Sequence, residues 1–192
     1  MYDNFYFGIL NGGKSQRIGS PKSMIIFNDL PLIEYIYNIL FDINKNIIIL
    51  GKSQKPDSLN HIISLDDTSL QGPISALVSA YNFKKSDWFF IATDMFKINK
   101  NMILEILELK EKFEFGVIPY HDEINKYEPF FGYYKKELLS LIIQNINEEN
   151  YSLQRILSNL KIEGNSEFAK KYQTNLKSLN NLNDLKESIF LN

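Results

Sequence analysis

The chain has 192 residues, 44% hydrophobic and 23% charged, with a formal net charge of −2. That length suits one domain with a sizeable core, and the interleaved lysines and acids exclude a broad nucleic-acid surface while leaving room for a local cationic pocket. There is no cysteine and only His61 and His121 among histidines, which excludes disulfides, thiolate metal sites, cysteine nucleophiles and His-rich metal centres.

The opening residues, from Met1 to Tyr6, carry no basic region and no long apolar run, so no signal peptide is expected. No apolar stretch approaches the roughly 18 residues that a membrane span needs. A cytoplasmic protein with no membrane contact is the expectation. Phe5 to Leu10 reads as a first strand, Asn11 to Lys22 as a loop, and Ser23 to Phe27 as a brief extended piece closed by a turn at Asn28-Asp29. From Pro31, the spacing of Ile33, Ile36, Tyr37 and Leu40 predicts a helix. Ile47 to Leu50 and Ile62 to Leu65 read as short buried strands. Gly72-Pro73 opens a helix to about Asn82, with Ile74, Leu77, Val78 and Tyr81 on one face.

Trp88 to Ala92 is a fully apolar strand that ends on Thr93-Asp94. Beyond it come a helix over Asn101 to Lys112, a strand over Phe115 to Pro119, an extended segment over Tyr127 to Tyr134 and a helix over Glu137 to Ile146. A further helix over Leu153 to Leu160 has Ser152 as its N-cap. The tail reads as a short strand from Leu176, then a helix from about Asn183. Strands alternating with helical patterns indicate βα units, a mostly parallel sheet and an α/β fold in one domain spanning 1–192.

Chemistry concentrates in the loop after the first strand. Gly8 to Ser15 read G-I-L-N-G-G-K-S, which fits the spacing of a phosphate loop. That device needs its first glycine at the strand exit and a helix starting at the Lys-Ser. Here Gly8 lies within the apolar run, and Gly19 and Pro21 stop a helix within about one turn. The longer string Leu10 to Lys22 holds three glycines and three cations in thirteen residues. Glycine backbone N–H groups at Gly12 and Gly13 suit an anion, Arg17 can grip a phosphate with two hydrogen bonds, and Lys14 or Lys22 can add a point charge.

The string Leu10-Asn11-Gly12-Gly13-Lys14-Ser15-Gln16-Arg17-Ile18-Gly19-Ser20-Pro21-Lys22 resembles the nucleotidyltransferase signature L-A-G-G-x-S-x-R-M-G-x-x-K, and most closely its molybdenum cofactor guanylyltransferase branch. Asn11 stands for the usual Ala, where the base is expected to dock, and Ile18 for the usual Met. Asp94-Met95 at the end of the apolar strand resembles the family's D-M-P, with Phe96 in place of Pro. Leu70-Gln71-Gly72-Pro73-Ile74 resembles its G-P-L segment, preceded by Asp66-Asp67; the family's spacing favours Asp66 over Asp67 as the nucleotide contact, and a solvated turn residue is the other reading of either. Glu128-Pro129-Phe130 resembles its h-P-L strand, Ser152 to Leu157, with Arg155, a following helix, and Ser178 to Leu185, with Asn180, its C-terminal N-x-N-T-P-E-D-L.

This resemblance implies a single-domain, Rossmann-like nucleotidyltransferase fold and transfer of GMP from GTP to the terminal phosphate of a molybdopterin-type acceptor. It implies Leu10, Asn11, Gly12, Gly13, Lys22, Asp66, Gly72, Pro73 and Asp94 as the nucleotide site, with Lys22, Arg17 and Asp94 catalytic and Asp94 holding Mg2+. Glu128, Pro129, Arg155 and Asn180 border the acceptor. It also implies transient contact with cofactor-biosynthesis proteins or recipient enzymes. A phosphomonoester with a second pKa near 6 is already ionised at neutral pH, so the reaction asks for alignment and charge neutralisation more than for a general base. Cytidylyl or sugar-phosphate transfer on the same fold, a phosphate-loop kinase, and a non-catalytic nucleotide binder are the alternatives.

Overall fold

The computed structural model describes residues 4–12, 21–66, 70, 72–146 and 151–179. Ten strands and six α-helices are described: β1 Phe5–Leu10, β2 Ile26–Phe27, β3 Leu30–Pro31, α1 Leu32–Phe41, β4 Ile47–Leu50, β5 Ser64–Leu65, α2 Ile74–Phe83, β6 Asp87–Ala92, α3 Lys100–Leu109, β7 Gly116–Val117, β8 Tyr120–His121, β9 Lys126–Tyr127, β10 Phe131–Tyr134, α4 Lys136–Gln144, α5 Leu153–Asn159 and α6 Ser166–Lys171. Six strands form the central sheet in the order β5-β4-β1-β6-β10-β7. β5, β4, β1 and β6 are parallel neighbours, and β10 runs antiparallel to both β6 and β7. The sheet is thus mostly parallel, as expected.

Strand side chains alternate between faces, and both faces here are apolar. Phe5, Phe7 and Ile9 of β1 and Phe89 and Ile91 of β6 pack with α1, α3 and α6. Leu10 of β1, Trp88 and Phe90 of β6, and Ile48 and Leu50 of β4 pack with α2, α4 and α5. A sheet covered on both sides needs strands without polar alternation, which is why β1, β4 and β6 read as continuous apolar runs. Gly8 lies inside β1, paired with Ile48 on one side and Phe90 on the other. A Cβ there would meet Leu50 Cδ1 at 2.7 Å and Phe90 Cδ1 at 2.8 Å. This glycine makes room for packing, so the phosphate-loop alternative fails at its first glycine. Residues 14–20, whose helicity also bears on it, lie outside the described residues.

Several expectations are corrected. The segment after Lys22 is a 3-10 turn over Lys22–Met24 before the two-residue β2, not extended from Ser23. Pro31 pairs in β3 and caps α1, which begins at Leu32. The strand expected over Phe115 to Pro119 is only Gly116–Val117. The extended segment expected from Tyr127 to Tyr134 breaks into β9 and β10 at a turn over Pro129 and Phe130. The helix α6 was not foreseen, although Asn165 caps it by accepting from Phe168 N at 2.9 Å. Ser152 caps α5 as expected, accepting from Arg155 N at 3.4 Å. Residues 176–179 are not a strand, and the helix expected from Asn183 lies outside the described residues. Among the described residues no helix is long and apolar enough to cross a membrane.

Candidate active site

The carboxyl ends of the parallel strands finish level. Leu10 is registered against Leu50 on one side and Ala92 on the other, and Leu50 against Leu65. The chain runs from β1 to β4 and β5 on one side, then crosses to β6 on the other, so the order reverses at β1. In open α/β sheets the ligand crevice lies at such a reversal, beyond the carboxyl ends. A cleft of about 920 Å³ opens there, at the upper end of the roughly 300 to 1,000 Å³ typical of small-molecule sites.

Lys22 and Asp94 meet within this cleft, Nζ to Oδ2 at 3.0 Å, with side chains 26% and 25% exposed. They are far apart in sequence. The turn after β6 carries Asp94, tied back by Thr93 N donating to Leu10 O at 3.2 Å, and the 3-10 turn over Lys22–Met24 carries Lys22 to the same edge. Leu179 N donates to Asp94 O at 2.8 Å, which brings Ser178 onto the rim.

Leu10, Gly12, Asp66, Gly72, Pro73 and Glu128, which the resemblance assigns to the nucleotide or the acceptor, also line the cleft. Among the described residues, nothing stands within 4 Å of where a Cβ of Gly12 would be. Gly72, Pro73, Ser75 and Ala76 put the N-terminus of α2 at the cleft wall, where the helix dipole favours an anion. Pro129 is buried behind Glu128, its carbonyl accepting from the Tyr134 hydroxyl at 2.6 Å. Arg155 is exposed on α5 and does not line the cleft. Gly13, Lys14, Arg17, Asp67 and Asn180 lie outside the described residues.

Asn11 departs from its expected place beside the base. It is 1% exposed and does not line the cleft. Its amide Nδ2 donates to Ser53 O at 2.9 Å and to Gln54 O at 3.4 Å, while its backbone carbonyl accepts from Ser53 N at 3.1 Å. Ser23, also 1% exposed, donates from Oγ to Gln54 O at 2.7 Å. Two buried polar side chains therefore hold the loop after β4. Gly51 makes the close passage possible: at φ +118° a side chain is strained, and a Cβ would stand 2.4 Å from Asn11 O.

That loop carries a residue the sequence reading missed. Lys52 lines the cleft and pairs with Asp66, Nζ to Oδ2 at 2.7 Å. Its signal was the one that marked Asp94: a charged residue just past the carboxyl end of an apolar strand. Lys22 and Lys52, the lining cations among the described residues, each face an acid. Glu128 is the third lining acid. Its Oε1 lies 3.1 Å from His121 Nε2 on the β8–β9 hairpin. Burial pushes its carboxyl above the usual range and the Asp94 charge adds to this, against the opposing pull of His121.

The sequence matches the MobA-like NTP transferase domain over residues 8–164. The chain belongs to this family. Among MobA-like relatives, it is 28% identical over 182 residues to a probable molybdenum cofactor guanylyltransferase of Flavobacterium johnsoniae, covering 92% of this chain and 94% of the relative. It is 30% identical over 168 residues to a protein of the same name in Methanocaldococcus jannaschii, covering 79% and 81%. The molybdopterin-guanine dinucleotide biosynthesis protein A of Archaeoglobus fulgidus superposes with a TM-score of 0.75 over 95% of this chain and 96% of that one, at 19% identity. The MobA-like match begins at Gly8 and ends at Gly164, so it contains Lys22, Lys52, Asp66, Asp94 and Glu128.

Proposed function

We propose that this chain transfers GMP from GTP to the terminal phosphate of a molybdopterin-type acceptor, releasing pyrophosphate and forming a guanine dinucleotide. The Lys22–Asp94 pair at the centre of a nucleotide-sized cleft over the strand-order reversal carries this reading, and the names of the relatives favour guanine and the pterin acceptor.

Neighbouring strands lie about 4.8 Å apart, so Asp66 at the end of β5 is three strands, or about 15 Å, from Asp94. That span matches a nucleotide laid along β5, β4 and β1 with its α-phosphate near β6. In this reading the α2 N-terminus and Gly12 meet the phosphates through backbone N–H groups. Lys22 leaves Asp94 for the triphosphate and neutralises charge on the departing pyrophosphate. Asp94, freed of its lysine, suits Mg2+: it is an oxygen donor in an open cleft, and this ion is held by one or two carboxylates plus substrate phosphates. When bound, Mg2+ would offset the charge that develops at the α-phosphate. Arg17 would add a second cation.

The test is a thermal-shift panel. GTP with Mg2+ is expected to stabilise the fold more than ATP, CTP or UTP, by about 2.7 kcal/mol at a hundredfold excess over Kd. Lys22→Ala should reduce that shift while leaving the ligand-free melting temperature nearly unchanged, because the ion pair it breaks is partly exposed. A shift with CTP equal to or larger than that with GTP would reject guanine.

A further inference from the structure

Three carboxylates line the cleft among the described residues. Asp66 and Asp94 each face a lysine, at 2.7 and 3.0 Å. Glu128 does not. One of its oxygens is held by His121 at 3.1 Å, and among the described residues the other accepts no hydrogen bond. Burial, with a smaller part from the Asp94 charge, outweighs the opposing pull of His121 and Lys126 and raises the cost of keeping that carboxylate ionised, so a ligand that donates hydrogen bonds to its second oxygen has a ready acceptor.

Its position says which part of a ligand it meets. β10 pairs antiparallel with β6, Phe131 against Ile91, and Ala92 N donates to Phe130 O at 2.9 Å. Glu128, just before β10, and Asp94, just after β6, therefore leave the sheet at the same edge on adjacent strands. Asp66, Lys52 and Gly12 all lie on the other side of β6, at the ends of β5, β4 and β1. Asp94 thus divides the cleft into a wide wing and a narrow one, and Glu128 stands in the narrow wing, away from the nucleotide.

We propose that Glu128, oriented by His121, is a specificity-determining residue that accepts paired hydrogen bonds from the 2-amino and ring N–H groups of a 2-amino-4-oxopyrimidine edge on the acceptor. A carboxylate matches two adjacent N–H donors and opposes a carbonyl at the same place. The assignment rests on the proposed acceptor being a pterin. Guanine in GTP presents the same edge, but the wide wing holds the nucleotide in that reading.

Two fluorescent probes test it, 6-hydroxymethylpterin monophosphate and its 2,4-dioxo lumazine counterpart, titrated into the full chain with and without saturating GTP. The wild type is expected to prefer the pterin by about ten- to a hundredfold, the scale of one or two hydrogen bonds to a charged group. Glu128→Gln should reverse the preference, because its amide N–H can donate to the 2-oxo group where a carboxylate cannot. His121→Ala should weaken the preference without reversing it, an outcome that mere loss of folding would not give. A preference that survives unchanged in Glu128→Gln overturns the assignment. So does a loss confined to GTP affinity, which would place Glu128 on guanine. If the wild type binds GTP but neither probe, the pterin acceptor itself is rejected and the assignment falls with it.

Discussion

Asp94→Asn is expected to lower the rate of nucleotidyl transfer by about 10² to 10³, the roughly 2.7–4 kcal/mol associated with one lost electrostatic contact to a transition state. Asp94 lies just past the carboxyl end of β6, which is apolar from Trp88 to Ala92. It is a quarter exposed and faces Lys22. Amide for carboxylate is nearly isosteric, so the change removes charge and little else. The ion pair is partly solvated, which limits its share of folding stability to about 1 kcal/mol or less. Circular dichroism and the melting temperature should therefore barely move while turnover collapses. Measured over a range of Mg2+ with GTP and the pterin acceptor, retention of more than about a tenth of wild-type turnover would sink the role given to Asp94.

The largest stability effect is expected at Trp88, the only tryptophan. It is fully buried in β6, stacked on Tyr6 at 5.1 Å and Phe90 at 5.9 Å, with its indole N–H donating to Lys84 O at 3.1 Å. Trp88→Ala leaves a large cavity at the face covered by α2, α4 and α5, and should cost about 3–5 kcal/mol. In a domain of this size that corresponds to a fall in melting temperature of about 6 to 20 °C. Trp88→Phe keeps the aromatic fill and should cost much less. A drop of under about 2 °C for the alanine variant, followed by calorimetry, would mean that this face is not the packed core described.

What could be read from the sequence was what burial imposes. β1, β4 and β6 announce themselves because strands covered on both faces have no polar alternation, and α1 and α2 do so through helical spacing of their buried residues. Asp94 was legible for the same reason: a carboxylate at the end of such a strand has no packing role. The two-residue strands β2, β5, β7 and β9 have no period to detect, so their bounds were misjudged. α6 is too short for periodicity and is defined by Asn165 and by what Phe168 touches. The pairing of Lys22 with Asp94 depends on the registration of Leu10 with Ala92, which no local pattern encodes. The family resemblance puts Asn11 beside the base. Its amide instead satisfies the carbonyls of a loop more than forty residues away.

The fate of the α-phosphate of GTP tests the proposed reaction most directly. GTP labelled at the α-phosphate is incubated with the protein, Mg2+ and the pterin phosphate acceptor. The label should appear in a dinucleotide product, with one pyrophosphate released for each GMP transferred and none when the acceptor is omitted. Release of inorganic phosphate with accumulation of labelled GDP, or transfer from CTP in preference to GTP, would contradict it.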